Sequence, residues 1–299
     1  MRFGFWPAPS NTWEDTLELS RHAEATAWDS VWYADHFMPN AEDTSPPVGE
    51  CWTTITALAA LVPRVRLGHL VVGNTYRHPP ILAKMAAGVD IISGGRLVLG
   101  LGAGWQDNEH AAYGIPFYTL GERLRRLDEA CHVIKSLLTN DKTDFDGRYY
   151  QLKDAPLAPK PVQDPLPLLI GGGGEKMTLK IAAKYADEWN VWGTPEVLQQ
   201  KMSVLDAHCA DVGRDPSEIK RTAVALLVHT DDQDTIDRTA RSGRPLIAGN
   251  TDQVRGIVQQ HIDLGVHEII VPDFNLGRTN EAKKEAMDRF MQEVASEFP

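Results

Sequence analysis

The sequence predicts a (β/α)8 (TIM) barrel. Eight short apolar segments alternate with helical patterns over 299 residues, and several of these segments are nearly continuous apolar runs, such as RLVLGL and VALLV. Runs of this kind are typical of parallel strands that are buried on both faces. Eight strand–helix units favour a closed barrel over a doubly wound sheet. No repeat, low-complexity tract or flexible linker interrupts the chain, so we expect one domain over residues 1–299.

The predicted elements follow in order along the chain. The eight strands are Arg2–Trp6, Asp29–Ala34, Val65–Val72, Arg96–Gly102, Pro167–Gly171, Asp187–Trp192, Arg221–His229 and His267–Pro272. Apolar residues at helical spacing predict one helix from Leu82 to Ile92 and a long amphipathic helix from Leu120 to Leu138. The run from about residue 103 to residue 166 holds this long helix and a hairpin with Asp146-Gly147 at its turn. We interpret that run as an insertion over the C-terminal face of the barrel, between the fourth and fifth strands.

The composition excludes several classes of protein. A net charge of −11 argues against a nucleic-acid or anionic membrane surface. No apolar stretch approaches the roughly 18 residues that span a bilayer, and the N-terminus lacks the features of a signal peptide. Cys51, Cys131 and Cys209 lie far apart without a CxxC pair, so we expect neither a disulfide framework nor a structural zinc site. This usage fits a reducing cytoplasm.

Four consecutive glycines, Gly171 to Gly174, join the fifth strand to a helix. At the catalytic face of a barrel, successive N–H groups and the positive end of the helix dipole converge there, which predicts a phosphate site. Lys176 and Lys180 would add positive charge. The alternative is a tight turn followed by a solvated stripe of lysines. The loop is not a Walker motif, and GLGAGW at 100–105 lacks the spacing of a dinucleotide-binding fingerprint.

His36 is the best acid/base candidate, because it follows the second strand and an imidazole titrates near neutral pH. Asp35 beside it could orient a ring or accept a hydrogen bond, and a structural histidine is an equally good interpretation. His78 is expected to help start a helix, and the side of the third strand on which His69 lies stays open. No histidine has zinc-ligand spacing, so we expect no catalytic metal. No GxSxG motif suggests a serine hydrolase.

Aromatic residues are abundant near the predicted strand ends. They are Trp6, Trp32, Tyr33, Phe37, Trp105, Trp189 and Trp192. Some of them belong to the core, and others could wall a pocket for a flat conjugated ligand. Together with the phosphate loop and the histidine, they suggest a phosphorylated planar cofactor such as a flavin.

The chain resembles the bacterial luciferase-like superfamily of flavin- and deazaflavin-dependent oxidoreductases from end to end. The resemblance rests on the long stretch from VRLGHLVVGNTYRHPP to LGAGWQDNEHAAYGIPF, on WYADHF, and on LLIGGGGEKMTLKIAAKYADEWN. ADHF and GGGGEK are most similar to the branch that uses coenzyme F420, an 8-hydroxy-5-deazaflavin. The family fold is a (β/α)8 barrel with insertions, in agreement with the pattern above.

The resemblance assigns roles to particular positions. Asp35 and His36 match a pair beside the deazaflavin ring, with the histidine serving proton transfer. Leu70-Val71 falls where the family has a non-prolyl cis peptide that backs the central ring, and His69 departs from the small or hydroxyl residue usual there. The remaining cofactor positions are Gly73 and Asn74 at the cofactor edge, Ala103, Gly104 and Asn108 along the ring and its side chain, and Gly172, Gly173, Gly174, Glu175 and Lys176 at the phosphate.

The resulting hypothesis is an F420-dependent oxidoreductase that transfers a hydride between the deazaflavin and a small organic substrate, with His36 as proton donor or acceptor. One alternative is an FMN-dependent monooxygenase of the same fold that receives reduced flavin from a separate reductase. Another is a non-catalytic flavin-binding protein. The resemblance also implies a homodimer.

Overall fold

The structure, a computed structural model, describes residues 1–298. The strands are β1 (Arg2–Trp6), β2 (Ser30–Tyr33), β3 (Arg66–His69), β4 (Val72–Gly73), β5 (Leu97–Gly102), β6 (Lys142–Asp146), β7 (Gln151–Pro156), β8 (Leu168–Gly171), β9 (Glu188–Trp192), β10 (Lys220–Val224), β11 (Leu226–His229), β12 (Leu246–Gly249) and β13 (Glu268–Pro272). The α-helices are α1 (Trp13–Ala25), α2 (Cys51–Leu61), α3 (Pro79–Ser93), α4 (Asp107–Tyr113), α5 (Leu120–Thr139), α6 (Thr178–Tyr185), α7 (Pro195–Val212), α8 (Gln233–Ala240), α9 (Thr251–Asp263) and α10 (Asn280–Glu293).

Eight parallel strands close into a barrel. Their order around the ring is β1, β2, β3, β5, β8, β9, β10 and β13, and β13 pairs with β1 to complete the ring. The register places Phe3 opposite Ile269 and Leu67 opposite Leu97. Helices surround the ring and bury the outer faces of the strands in a continuous apolar core. The predicted (β/α)8 barrel is therefore confirmed.

The N-terminal end of the barrel interior is filled by a polar cluster. The Arg66 guanidinium lies 2.5 Å from Glu188 Oε1 and 3.3 Å from Glu268 Oε2. The Ser30 hydroxyl and the Trp32 indole N–H both donate to Glu268 Oε1. Above this cluster, a small group of apolar side chains fills the interior: Trp6, Trp32, Ala34, Val98, Leu169, Val224 and Ile270, with Leu70, Val71 and Trp192 packed against it. The mouth of the barrel lies at the opposite end, where the strands finish.

The predicted insertion between the fourth and fifth barrel strands is present. It comprises α4, α5 and the antiparallel hairpin of β6 and β7, with Gly147 to Tyr150 as the hairpin loop. The Thr119 hydroxyl caps α5 by accepting from the Glu122 amide. The hydroxyl of Tyr150 lies 3.3 Å from Asn74 Nδ2, so the hairpin contacts the loop that follows β4. The insertion thus covers part of the C-terminal face, as predicted.

Two predicted strands are interrupted. The segment Val65–Val72 ends as β3 at His69, and β4 resumes at Val72 after a cis bond. The segment Arg221–His229 divides at Ala225 into β10, which belongs to the ring, and β11, which pairs with β12 outside it. Because both parts of the segment are buried, the apolar run continues through the division, and hydrophobicity alone gives no sign that the strand changes partner. The strand β12 itself was not predicted.

Candidate active site

The C-terminal ends of the barrel strands bring the predicted residues to one face. Asp35 and His36 follow β2, and Gly73 and Asn74 end and follow β4. Ala103 and Gly104 follow β5, and the glycine loop from Gly172 to Gly174 follows β8. In TIM barrels this face carries the active site.

The third barrel strand carries a bulge at the mouth. The peptide bond between Leu70 and Val71 is cis, as the resemblance implied. The side chain of Val71 occupies space that glycines on the two next strands leave free. A Cβ at Gly102 or at Gly171 would lie 2.8 Å from a Val71 methyl. A Cβ at Gly100 would lie 1.8 Å from the His69 carbonyl oxygen. The glycines of β5 and β8 therefore make the bulge sterically feasible.

His36 is held by a carboxylate on the insertion. Its Nδ1 lies 3.0 Å from Glu109 Oε1, and Glu109 Oε2 accepts from the Phe37 amide at 2.9 Å. The Tyr76 hydroxyl also donates to Glu109 Oε1. Burial opposes ionisation of Glu109, but the hydrogen bonds from these three groups outweigh it, so the pKa of Glu109 is lowered. A carboxylate at Nδ1 fixes the tautomer with Nδ1 protonated.

The other nitrogen of His36 is free to act. Within residues 1–298, Nε2 has no hydrogen-bond partner, and 23% of the side chain is exposed at the mouth. The ring of Trp105, itself largely exposed, stands edge-on to His36 with 5.4 Å between ring centroids. The imidazole is therefore tethered on one side and accessible on the other, which is the arrangement of a general acid or base.

Asp35 accepts hydrogen bonds, which is one of its two expected roles, and it forms none with His36. Its carboxylate makes a two-point contact with the Arg77 guanidinium, at 2.6 and 3.1 Å, and accepts from the Gly73 amide at 3.3 Å. Arg77 also reaches Glu50 at 3.0 Å. Asp35 is buried. Its ion pair with Arg77 holds the carboxylate in place, and the hydrogen bond from the Gly73 amide to that carboxylate fixes the backbone at Gly73. The side chain that holds His36 is instead Glu109 of α4.

The glycine loop presents unpaired amides at the mouth. The Gly172 amide donates to the Asn190 carbonyl at 2.9 Å, and Gly172 has a φ of 117°, a conformation that favours glycine. The amides of Gly173, Gly174 and Glu175 find no acceptor within residues 1–298. These free donors lie just before the first turn of α6, where an anion is stabilised.

Two charged side chains flank the glycine loop. Lys201 of α7 lies beside Gly173, with its Cε 3.5 Å from where a Cβ would stand, and its Nζ contacts Glu175 Oε1 at 2.7 Å. Lys176 is exposed and precedes α6 rather than lying in its first turn. Lys201 was not predicted, because it comes from the next helix along the chain. The roles of Glu175 and Lys176 at a cofactor stay predictions.

The other predicted cofactor positions line the same face. Gly104 has a φ of 79° and packs against Thr75, and Ala103 precedes it. Asn108 donates from Nδ2 to the Pro39 carbonyl at 2.9 Å, which ties α4 to the loop after β2. The side-chain oxygens of Asn74 and Asn108 are buried without a donor within residues 1–298. These acceptors are suited to a ligand that brings hydrogen-bond donors.

Two further histidines, His69 and His78, have surroundings of their own. His69 faces outward from the barrel and stacks on Trp52 of α2 at 4.2 Å between centroids. Burial, together with the charge of Arg77, lowers the pKa of His69 to about 3 against a small opposing influence of the Val98 backbone. Neither ring nitrogen makes a well-aligned hydrogen bond within residues 1–298. His78 precedes Pro79 as the N-cap of α3, without a side-chain capping bond.

Other features of the described chain do not suggest a site. Cavities of about 360 and 600 Å³ lie at the N-terminal end of the barrel, lined by residues such as Phe3, Asp29 and His267. Across residues 1–298, no cluster of His, Cys, Asp or Glu side chains is placed to hold a metal ion. The three cysteines are buried thiols. No helix between residues 1 and 298 combines the length and apolarity of a membrane span.

The fold and the site together define a class: a TIM barrel whose mouth combines a bulged third strand, an open glycine loop and a carboxylate-held histidine. Within that class, the chain belongs to the luciferase-like monooxygenase family, whose model matches residues 1–297.

Several known proteins are similar to this chain. An F420-dependent glucose-6-phosphate dehydrogenase of Amycolatopsis mediterranei (strain U-32) is 37% identical over 174 residues, which are 58% of this chain and 50% of that enzyme. The chain therefore spans half the length of this relative. An F420-dependent glucose-6-phosphate dehydrogenase of Microbacterium testaceum (strain StLB037) is 30% identical over 82% of this chain and 74% of its own length.

The fold is also found in a solved structure. An F420-dependent secondary alcohol dehydrogenase in complex with an F420-acetone adduct superposes with a TM-score of 0.86, over 99% of this chain and 98% of that one. At 20% identity this likeness concerns the fold alone.

Proposed function

We propose that this protein is an F420-dependent oxidoreductase that transfers a hydride between the deazaflavin and a small organic substrate. The observation that carries the proposal is the placement of His36 at the barrel mouth, held at Nδ1 by buried Glu109 and open at Nε2. The names of the relatives in Amycolatopsis and Microbacterium support the choice of F420.

The residues present fit such a cofactor. Leu70 and Val71 would support one face of the planar ring at the bulge, and Gly73 and Asn74 would lie at its edge. The free amides of Gly173 and Gly174 would hold the phosphate, with Lys201 beside it. Asn108 and Ala103 would line the remaining length. A Cβ on Gly173 would lie 3.5 Å from Lys201 Cε, so glycine lets this lysine lie close to the backbone of the loop.

When bound, F420 accepts or donates the hydride, and the protein supplies orientation and the accompanying proton transfer. As an alcohol is oxidised, Nε2 of His36 takes the hydroxyl proton; in the reverse direction it returns that proton to the carbonyl oxygen. Glu109 accepts from Nδ1–H throughout, which presents the basic nitrogen to the substrate and stabilises the imidazolium that forms. The hydride and the proton together account for the two hydrogens that the substrate loses or gains.

An FMN-dependent monooxygenase supplied by a separate reductase is the second candidate, because the glycine loop would hold an FMN phosphate equally well. Titration of the purified protein with F420 and with FMN, followed by cofactor fluorescence, separates the two. We expect micromolar or tighter binding of F420 and much weaker binding of FMN. Tight FMN binding without F420 binding would contradict the proposal. Binding without turnover of any alcohol or activated alkene would favour the non-catalytic flavin-binding protein.

A homodimer and a cytoplasmic location belong to the same proposal. Helix α3 exposes Ile81, Ile91 and Ile92, and Leu61 at the end of α2 is also exposed, which leaves apolar surface for a second copy. Light scattering on the eluted protein measures the mass directly. A mass of 33.1 kDa, that of one chain, would contradict the dimer.

A further inference from the structure

Three aromatic side chains and one arginine form a group at the mouth of the barrel, here called the aromatic box: Trp6, Trp192, Phe274 and Arg244. The ring centroid of Trp6 lies 5.9 Å from that of Trp192 and 5.2 Å from that of Phe274. The Arg244 guanidinium lies 5.3 Å from the centroids of both Trp192 and Phe274. These residues come from the ends of β1 and β9, the turn after β13 and the loop before β12, so only the folded barrel assembles them.

The aromatic box lies across the mouth from the bulge. In the ring of eight strands, the bulge on β3 is third, while β9, β13 and β1 are sixth, eighth and first. The strand directly opposite β3 is β10, which lies between β9 and β13. Trp6 and Trp192 also pack in the same interior cluster as Leu70 and Val71. A planar cofactor backed by the bulge would therefore expose its free face toward the aromatic box.

The aromatic box holds hydrogen-bond donors without acceptors. Trp6 is 7% exposed, and its indole Nε1 is buried with no partner within residues 1–298. Arg244 stacks on two rings but forms no ion pair with a carboxylate among the same residues. An unpaired buried N–H and a free guanidinium both favour an acceptor that arrives with a ligand. The aromatic walls favour a flat body.

We propose that the aromatic box is the substrate subsite and that it selects a flat, conjugated or aromatic molecule carrying one carboxylate. Arg244 binds the carboxylate, since one planar guanidinium matches the two oxygens of one carboxylate. Trp6 and Trp192 contact the faces of the flat body, and Trp6 Nε1 donates to an oxygen of the ligand. This inference rests on the proposed function, because the aromatic box defines a substrate site only if a redox cofactor occupies the opposite wall.

The test compares trans-cinnamate with the neutral, nearly isosteric cinnamamide. Both are titrated into the protein loaded with F420, with dissociation constants measured by calorimetry, on the parent protein and on R244Q. The matched control is R241Q, which removes an exposed arginine three residues away. We expect the parent protein to bind cinnamate at least about tenfold more tightly than cinnamamide, the difference that one charged hydrogen-bonded contact makes. R244Q should remove this difference in affinity, whereas R241Q should keep it. W6F, which keeps a ring and deletes Nε1–H, is expected to weaken both ligands.

The outcomes are distinguishable from failure of the proposed function. F420 is titrated first on every variant, and equal F420 binding to parent, R244Q and R241Q is expected. If F420 does not bind, the proposed function fails. Three results with F420 bound would show that the aromatic box is not a carboxylate subsite: equal affinity for cinnamate and cinnamamide, no binding of either ligand, or the same effect of R244Q and R241Q. In each case the proposed function stands and only the subsite proposal fails.

Discussion

Nδ1 of His36 lies 3.0 Å from Oε1 of Glu109, a carboxylate 73 residues further along the chain. Glu109 is fully buried on α4, whereas His36 follows β2, so the pair joins the barrel to its insertion. Two further donors, the Phe37 amide and the Tyr76 hydroxyl, hold the carboxylate in place. The insertion therefore contributes directly to the candidate site, through the orientation of His36.

Replacement of Glu109 by Gln tests this orientation. The substitution keeps the shape but removes the negative charge that stabilises the imidazolium, so we expect kcat to fall about tenfold to a hundredfold, as for loss of a hydrogen bond to a charged group. Because Glu109 acts through His36, the pH at which kcat changes should also shift toward lower values, since loss of the carboxylate destabilises the imidazolium and makes the imidazole a weaker base. F420 affinity should stay unchanged. An unaltered pH profile with a lower melting temperature would indicate a purely structural carboxylate.

Replacement of His36 by Ala removes the proposed proton donor and acceptor. General acid–base catalysis contributes about 10²–10⁴-fold, and we expect kcat to fall by this amount while the dissociation constant for F420 changes little. The measurements are turnover of a substrate alcohol and a fluorescence titration of the cofactor. Retention of full turnover with cofactor bound would remove His36 from the mechanism.

Replacement of Gly173 by Ala tests the phosphate loop. An added methyl would stand 3.1 Å from Val191 and 3.5 Å from Lys201 Cε, so the fold accommodates it by small side-chain movements that displace Lys201, the cation proposed beside the phosphate. We expect F420 affinity to fall about tenfold or more with a small change in melting temperature. Gly88 in α3 is the matched control, because nothing lies within 4 Å of its added methyl. Equal cofactor affinity in the two variants would argue against a phosphate at this loop.

We expect the stability of the fold in acid to depend on His69. Its pKa is about 3 in the folded protein, below the usual value of 6.5, so between these values the unfolded chain binds a proton that the folded chain does not. The free energy of unfolding therefore falls as the pH drops from 6.5 toward 3, by up to about 1.4 kcal/mol per pH unit from this residue.

Replacement of His69 by Phe keeps a flat ring against Trp52 and should remove this contribution. Urea unfolding of parent and variant at pH 7, 6 and 5 measures it, with the difference between the two proteins changing in favour of the variant as the pH falls. A difference that stays constant across this range would show that His69 is not buried as a neutral ring.

Much of the fold was predictable because barrel strands and helices have local signatures. The first strand was predicted at Arg2–Trp6 and is found there, and the long helix from Leu120 differs by one residue at its end. The partner change at Ala225 was not predictable, since Val224 and Leu226 are both buried and apolar on either side of it. The cis bond at Leu70-Val71 came from family resemblance, and only the structure relates it to Gly100, Gly102 and Gly171.

The site was predictable in location but not in its pairings. The rule that TIM-barrel sites lie at strand ends selected His36 and the glycine loop from the sequence. The sequence suggests that Asp35 orients a ring or accepts a hydrogen bond, and in the structure its carboxylate is engaged by Arg77. Contacts between residues far apart in the chain, such as Lys201 with Glu175, have no local signal.

The two facing walls of the mouth differ in how closely their residues are packed. Residues on the β3 side tolerate little change in size, because the Val71 methyl groups and the His69 carbonyl pack directly against glycines of β5 and β8. Arg244, by contrast, is exposed, and its guanidinium has no hydrogen bond or ion pair within residues 1–298, so we expect exchange of its side chain to leave the barrel frame intact. On the proposed substrate subsite, specificity is therefore open to change through the loop before β12 without disturbance of the β3 wall.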